Sequence, residues 1–557
     1  MSNAVTAATE TAEPKPMSHR QVLEAMSGLL MGMFVAILAG TVVSTSLPRI
    51  ISDLKGDQAS YTWVVTATLL ATTVSTPIWG KFSDLFSRKL LVQLSLVVFV
   101  LGSALAGFAQ DTPTLIAFRV IQGLGAGGLT SLVQVILSDI ISPRQRGRYM
   151  GYLGAVMAVG TAGGPLLGGL ITDSIGWRFN FYVAIPFAIA AIILIQRTLN
   201  LPKRPARKVS IDYFGLALIA GGVSLLLIWV TLAGNQFEWA STTSFLMLGG
   251  AIVLLVAAVI VELKVKEPIL PIRMFANRTF TLVVVASLSV GVALFGTSVF
   301  LAQYMQLSRG KTPTEAGLYT LPQIFGLLIA STIFGALISR TGKWKPIMIT
   351  GASLLTVGLA LMSTLTYTTP FWLLFIFMAI MGIGLGMVMQ NLVLVVQNSV
   401  DVRNIGAASS AVAFFRSLGG TIGVSVLGAI LGTRVSDSIT QQVVDQGVPA
   451  SQLGSLAGGT IPEISTLTAP VRTIVENAYG QGVGEIFLIA TPLALITLIA
   501  IIFLPKSELG TKTGIEQLQE KTAQTVIDVT SGDVAATASV PVITSEADTQ
   551  ETAATRR

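Results

Sequence analysis

Residues 118–128 read FRVIQGLGAGG, with glycine at 123, 125 and 128 and Arg119 just ahead of them. Gly-x-Gly-x-x-Gly is the spacing of a dinucleotide cradle, which also requires a strand entering it and a helix leaving it. Here the flanking residues stay apolar for about 20 positions, the length that crosses a bilayer core. The glycines therefore belong to a membrane helix, where they let a neighbouring backbone approach closely. No Gly-x-x-x-x-Gly-Lys-Ser/Thr phosphate loop occurs elsewhere, which excludes a nucleotide-driven pump of that type.

The remaining chemistry is that of charges within apolar helices. Arg119 and Arg416 are the two cations inside predicted spans. A central arginine costs about 2.5–3.5 kcal/mol on insertion scales, so each requires a partner or a wet cavity. None of the 28 Asp and Glu residues falls in the middle third of a predicted span. Asp139 and Glu262 lie near span ends on one side, Asp173 and Glu485 on the other. The chain has no cysteine, and its one histidine, His19, sits in a polar N-terminal stretch. Thiol and imidazole catalysis and Cys- or His-based metal sites are excluded on that count. No convergent nucleophile, acid–base pair or metal set is visible, so neither an enzyme nor a cofactor is expected.

The elements that must position these residues follow from composition. Of 557 residues, 52% are hydrophobic and 11% charged, against about a quarter charged in soluble domains. Apolar runs between charged or Pro/Gly-rich breaks predict fourteen spans, the first near 27–47 and the last near 485–504. Nineteen Lys and Arg lie in the connections on the N-terminal side and seven on the other, which predicts cytoplasmic termini in a cell membrane. The net charge of +7 is then a topological signal, and no nucleic-acid partner is implied.

The glycine run has an internal echo. Phe118, Gly123, Gly125 and Gly127 align with Phe377, Gly382, Gly384 and Gly386, and the same offset matches Gly160, Gly164 and Gly169 with Gly419, Gly423 and Gly428. A second echo links GKFSDLFSRK (80–89) with GALISRTGKWK (335–345). The predicted fold is therefore an all-α membrane protein of two six-helix pseudo-repeats plus two inserted helices. Its divisions are a tail at 1–24, a first half at 25–200, the inserted pair at 201–264, and a second half at 265–505. That second half includes a long outer loop at about 433–484, with small interfacial helices possible, and a disordered tail at 506–557 follows. Duplicated helical halves are the architecture of secondary transporters, with a substrate site between them.

These motifs resemble the major facilitator superfamily, specifically its fourteen-spanner drug:proton antiporter branch (the EmrB/QacA type), over residues 25–505. GKFSDLFSRK is similar to the family's loop signature, RVIQG to its fourth-helix arginine motif, and GTAGGPLLGG (160–169) to its exporter motif. WRFNFYVAIP (177–186) and GAASSAVAFFRSLGGTIG (406–423) resemble stretches of this branch. The resemblance implies a multidrug exporter driven by protons through alternating access, with small amphipathic substrates, membrane lipids around it and a monomeric state. An exporter of one endogenous metabolite or lipid is the alternative.

Several site expectations follow. Gly80, Asp84, Arg88 and Lys89, with Lys81 and Asp139, form a gating latch. Gly160, Gly164, Pro165, Gly168 and Gly169 form a smooth, bendable helix face. Arg119, Arg416 and Asp173 are candidates for charge coupling, and Trp63, Tyr304, Met305, Met389 and Gln390 for the cavity lining. The sequence departs from the family in its first helix. LAGTVVS places Ala39 and Ser44 where the family usually has an aspartate and an asparagine. Coupling is then expected to use Asp84, Asp139 or Asp173, or the substrate's own protonation. With arginines and no deep acid, the cavity should also disfavour a dication relative to a neutral or anionic amphiphile.

Overall fold

The computed structural model describes residues 19–54, 58–141, 143–199, 212–233, 237–265, 268, 272–311, 313–401, 404–445 and 469–510. Fourteen long helices among them overlap the predicted spans. The first six are α1 (His19–Asp53), α2 (Gln58–Leu85), α3 (Arg88–Gly107), α4 (Thr112–Ile140), α5 (Pro143–Ser174) and α6 (Ala184–Thr198). The inserted pair is α7 (Tyr213–Leu232) and α8 (Thr242–Lys264). The rest are α9 (Arg278–Gln303), α10 (Leu321–Thr341), α11 (Trp344–Met362), α12 (Phe371–Ser399), α13 (Ile405–Asp445) and α14 (Ala469–Ile502). Among the described residues, eleven helical stretches are long and apolar enough to cross a membrane.

Two apolar cores form. One is built by α1, α3, α4, α5 and α6 around Met26, Phe99, Leu129 and Ile136. The other is built by α9 to α14 around Phe280, Met348, Met381 and Phe487. A smaller cluster joins Val74 of α2 to Phe414 and Leu418 of α13 beneath Ile219, Val223 and Leu227 of α7 and Ala258 of α8. The inserted hairpin thus lies over the α2–α13 seam.

Glycine contacts reproduce the repeat in three dimensions. Side chains added at Gly123 and Gly127 would strike α2 at Thr68 and Thr72, and at Gly125 they would strike α3 at Phe99. In the second half, Gly382 and Gly386 abut α10 at Gln323 and Leu327, while Gly384 abuts α11 at Leu355. Thr68 and Thr72 stand to Gln323 and Leu327 at one constant offset. The opening glycines therefore serve close helix packing. Asp111 starts α4, its carboxylate accepting from the Thr114 backbone N–H, which holds its pKa below the usual carboxylate range.

Several boundaries differ from expectation. The helix α1 begins at His19, inside the stretch read as a tail. The outer loop expected at 433–484 is helical at both flanks, since α13 continues to Asp445 and α14 starts at Ala469. The sequence RVSDSITQQVVD after Gly432 is polar but helix-compatible, and a span predicted from hydropathy ends where polarity begins. A π-helical turn, Tyr304–Ser308, closes α9. Most of the expected C-terminal tail, from 511, lies outside the described residues.

Candidate functional site

At the α2–α3 end of the bundle, Arg88 and Asp139 form an ion pair with side chains 2% and 6% exposed. Arg88 Nε also donates to Ser83 O at 3.0 Å, which ties the start of α3 to the end of α2. Lys89 goes elsewhere: its Nζ donates to Gln196 O of α6 at 2.8 Å. The Asp84 side chain lies outside the described residues, as do those of Asp173 and Pro165. Gly80 abuts Ser410 and Gly406 O of α13. Only glycine permits that approach between the two halves.

Arg119 is 4% exposed within α4. Its Nη1 donates to Gln122 Oε1 one turn away, and its Nε to Val64 O of α2 at 3.4 Å. Gln122 Nε2 donates to Ser103 Oγ of α3 at 2.9 Å, and Ser103 donates to Phe181 O at 2.8 Å. The chain of bonds links α2, α4, α3 and the turn before α6. No ion pair of Arg119 is present among the described residues, so amides and a carbonyl stabilise its charge. Phe181 and Asn180 belong to a short helix, Phe179–Tyr182. Asn180 Nδ2 donates to Ser46 Oγ at 2.7 Å and to Thr172 Oγ1 at 2.8 Å, pinning α1 to α5 at that end.

The exporter-motif glycines face α1. Gly160 meets Ile37, Gly164 meets Thr41, and Gly168 meets Val42 O. Thr41 Oγ1 donates to Gly160 O and Ser46 Oγ to Gly168 O, both at 3.1 Å. Gly169 is half-buried. In the second half, Gly419 and Gly423 of α13 meet Leu288 and Val292 of α9 in the matching arrangement. Ala39 is 1% exposed and packs in the first core, so an apolar contact occupies the position of the family's acid.

The halves meet at the α2–α3 end through neutral polar groups. Ser131 of α4 bonds Ser410 of α13. Gln397 Nε2 of α12 donates to Ser409 Oγ at 2.6 Å and to Gln134 O of α4 at 3.4 Å. Farther in, Gln390 Nε2 lies 3.7 Å from Met157 Sδ of α5. Gln390 and Met389 are each 4% exposed, and Trp63 is half-buried near the start of α2. Tyr304 and Met305 are wholly buried in the second core, and the Tyr304 hydroxyl donates to Thr366 O at 2.7 Å. Both are packing residues at the far end of α9, a role that aromatic and thioether character alone does not distinguish from cavity lining. Gln122, Ser131, Gln134, Gln397 and Ser410 were not singled out by sequence. The available signal was a polar residue within an otherwise apolar run.

The profile described as Major Facilitator Superfamily matches residues 29–424. The chain belongs to that superfamily. It is a multi-pass membrane transporter and not an enzyme. A multidrug transporter protein, MdtP of Bacillus subtilis (strain 168), is 35% identical over 419 residues, covering 75% of this chain and 77% of that protein. Multidrug resistance protein 3 of the same strain is 30% identical over 493 residues, covering 87% and 95%. An acurin A biosynthesis cluster MFS-type transporter of Aspergillus aculeatus is 31% identical over 422 residues, covering 74% and 76%. The solved proton:xylose symporter XylE shares the superfamily fold with a TM-score of 0.55 at 15% identity, covering 90% of this chain and 99% of that one.

Proposed function

We propose that this superfamily member exports small amphipathic compounds across the cell membrane by proton-coupled alternating access, with both termini cytoplasmic and the transporter acting as a monomer. The observation that carries the reading is the pair of repeated halves joined at one end by hydrogen bonds between neutral groups and by glycine contacts. Among the described residues, the side-chain bonds across that interface are between uncharged groups, which can part and re-form as the halves move. The names of the two Bacillus relatives support efflux. The distribution of Lys and Arg supports the orientation. With Ala39 in the first helix, coupling falls to Asp84, Asp139 or Asp173, or to the substrate's own proton. The Arg88–Asp139 pair gives Asp139 a partner from which protonation would release it.

The test uses inside-out vesicles carrying a pre-formed proton gradient, a fluorescent pH probe and a panel of amphiphiles, with Arg119→Ala and empty vesicles as controls. Substrate-dependent collapse of the gradient that is lost in Arg119→Ala is the expected result. Transport of the same compounds with no proton flux would remove proton coupling and leave export standing. The Aspergillus relative's name favours a second reading, a dedicated exporter of one endogenous metabolite. A response confined to a single compound class would select it.

A further inference from the structure

Gln397 and Ser409 lie side by side where α12 and α13 begin to run antiparallel. Seven residues farther into the bundle on each helix stand Gln390 and Arg416. Seven residues make nearly two whole turns and about 10 Å of rise. The faces that meet at Gln397 and Ser409 are therefore the faces that carry Gln390 and Arg416, at one depth.

Both residues have an unused polar atom. Gln390 is 4% exposed, and its Oε1 has no hydrogen-bond partner among the described residues. Arg416 Nη1 is also buried without a partner there, and Arg416 enters none of the ion pairs among the described residues. Arg119, by contrast, is satisfied by Gln122 and Val64. The repeat places Arg416 where α5 has Met157, and Met157 reaches Gln390 across the seam between the halves. The equivalent position on α13 faces that seam from the other side. A guanidinium nitrogen buried without a counter-charge is a strong attractor for an anion, and a buried, unused amide oxygen at the same depth attracts a donor.

We infer that Arg416 and Gln390 form the polar end of a substrate subsite for a monoanionic amphiphile, with Met157 contributing to its apolar wall. Arg416 pairs with a carboxylate or comparable anionic head, and Gln390 Oε1 accepts from a neighbouring hydroxyl or amide. The inference rests on the exporter reading for what the bound molecule is, while the binding itself does not depend on transport.

The experiment uses the purified full chain in lipid nanodiscs and three naphthyl-alkyl probes that differ only in ending in a carboxylate, a primary amide or a trimethylammonium group. Wild type should bind the carboxylate tighter than the ammonium by about tenfold to a hundredfold, the range of one charge-assisted hydrogen bond. Arg416→Gln should abolish that preference, Arg416→Lys should retain part of it, and Gln390→Glu, which supplies a counter-charge at the depth of Arg416, should also abolish it. If Arg416→Gln does not fold, Gln390→Glu carries the test. A wild-type preference for the ammonium probe, or a carboxylate preference that survives Arg416→Gln and Gln390→Glu, overturns the subsite. The same probes in the vesicle assay separate the two readings. Arg416-dependent binding with no transport of the probes at all sinks the exporter alone, and transport indifferent to Arg416 sinks the subsite alone.

Discussion

Arg88 and Asp139 are each closed off from solvent with the other as ion-pair partner. Removing one takes a counter-charge away from the other in a buried site, which costs about 3–5 kcal/mol. Arg88→Ala is expected to lower unfolding stability by about 3 kcal/mol, and Arg88→Met combined with Asp139→Leu to recover most of it, both read by denaturation in detergent. Lys89→Ala, whose Nζ reaches the Gln196 carbonyl among the described residues, should shift stability by less than about 1 kcal/mol. At Arg119 the expectation concerns function more than fold. Arg119→Gln leaves Gln122 with a different partner, costs about 1–3 kcal/mol, and should abolish gradient-driven transport, measured by thermal unfolding and the vesicle assay together. A retained transport rate would reduce Arg119 to a packing role. The sequence marked Arg119 as costly because an arginine in an apolar run stands out by type. It gave no route to Gln122, whose usefulness depends on Ser103 from another helix.

Between helices, glycine sets the spacing. Gly164 faces Thr41 so closely that any side chain collides, whereas a methyl group at Gly163 would meet nothing within 4 Å. Gly164→Val is therefore expected to push α5 off α1, cost about 1–3 kcal/mol by overpacking, and stop transport. Gly163→Ala should leave both near wild type, in a paired comparison of unfolding temperature and export rate. Equal effects at the two positions would show that the helix tolerates any bulk and that the stripe has no packing role. The stripe was legible because its period matches a helix face, but its partner was not. Nothing in residues 160–168 names α1 over any other neighbour. The π-helical turn at Tyr304–Ser308 and the long run of α13 to Asp445 escaped for a related reason, since hydropathy reports where lipid ends and not where helical hydrogen bonding ends.

Across the whole molecule the repeat was readable from one register held through glycines, because each repeated glycine answers a repeated close approach. What the offset could not give was the way the halves join. That junction invites a direct test in a chain with no cysteine of its own. Ser131→Cys with Ser410→Cys should form a disulfide on oxidation, arrest transport, and release it on reduction. A crosslinked protein that still transports at full rate would show that this end never opens. The inserted hairpin adds an asymmetry to any such opening. It rests on α2 and α13 together through Ile219, Val223 and Leu227, smooth apolar side chains whose attraction has no preferred direction. Under the alternating-access proposal such a surface would act as a bearing: α2 and α13 would turn beneath the apolar contacts described, and the fissure they opened would stay shielded from lipid tails on that flank. The opposite flank, where α5 meets α10, has no such cover from the hairpin, so a solute dissolved in the bilayer encounters two unlike sides of one transporter.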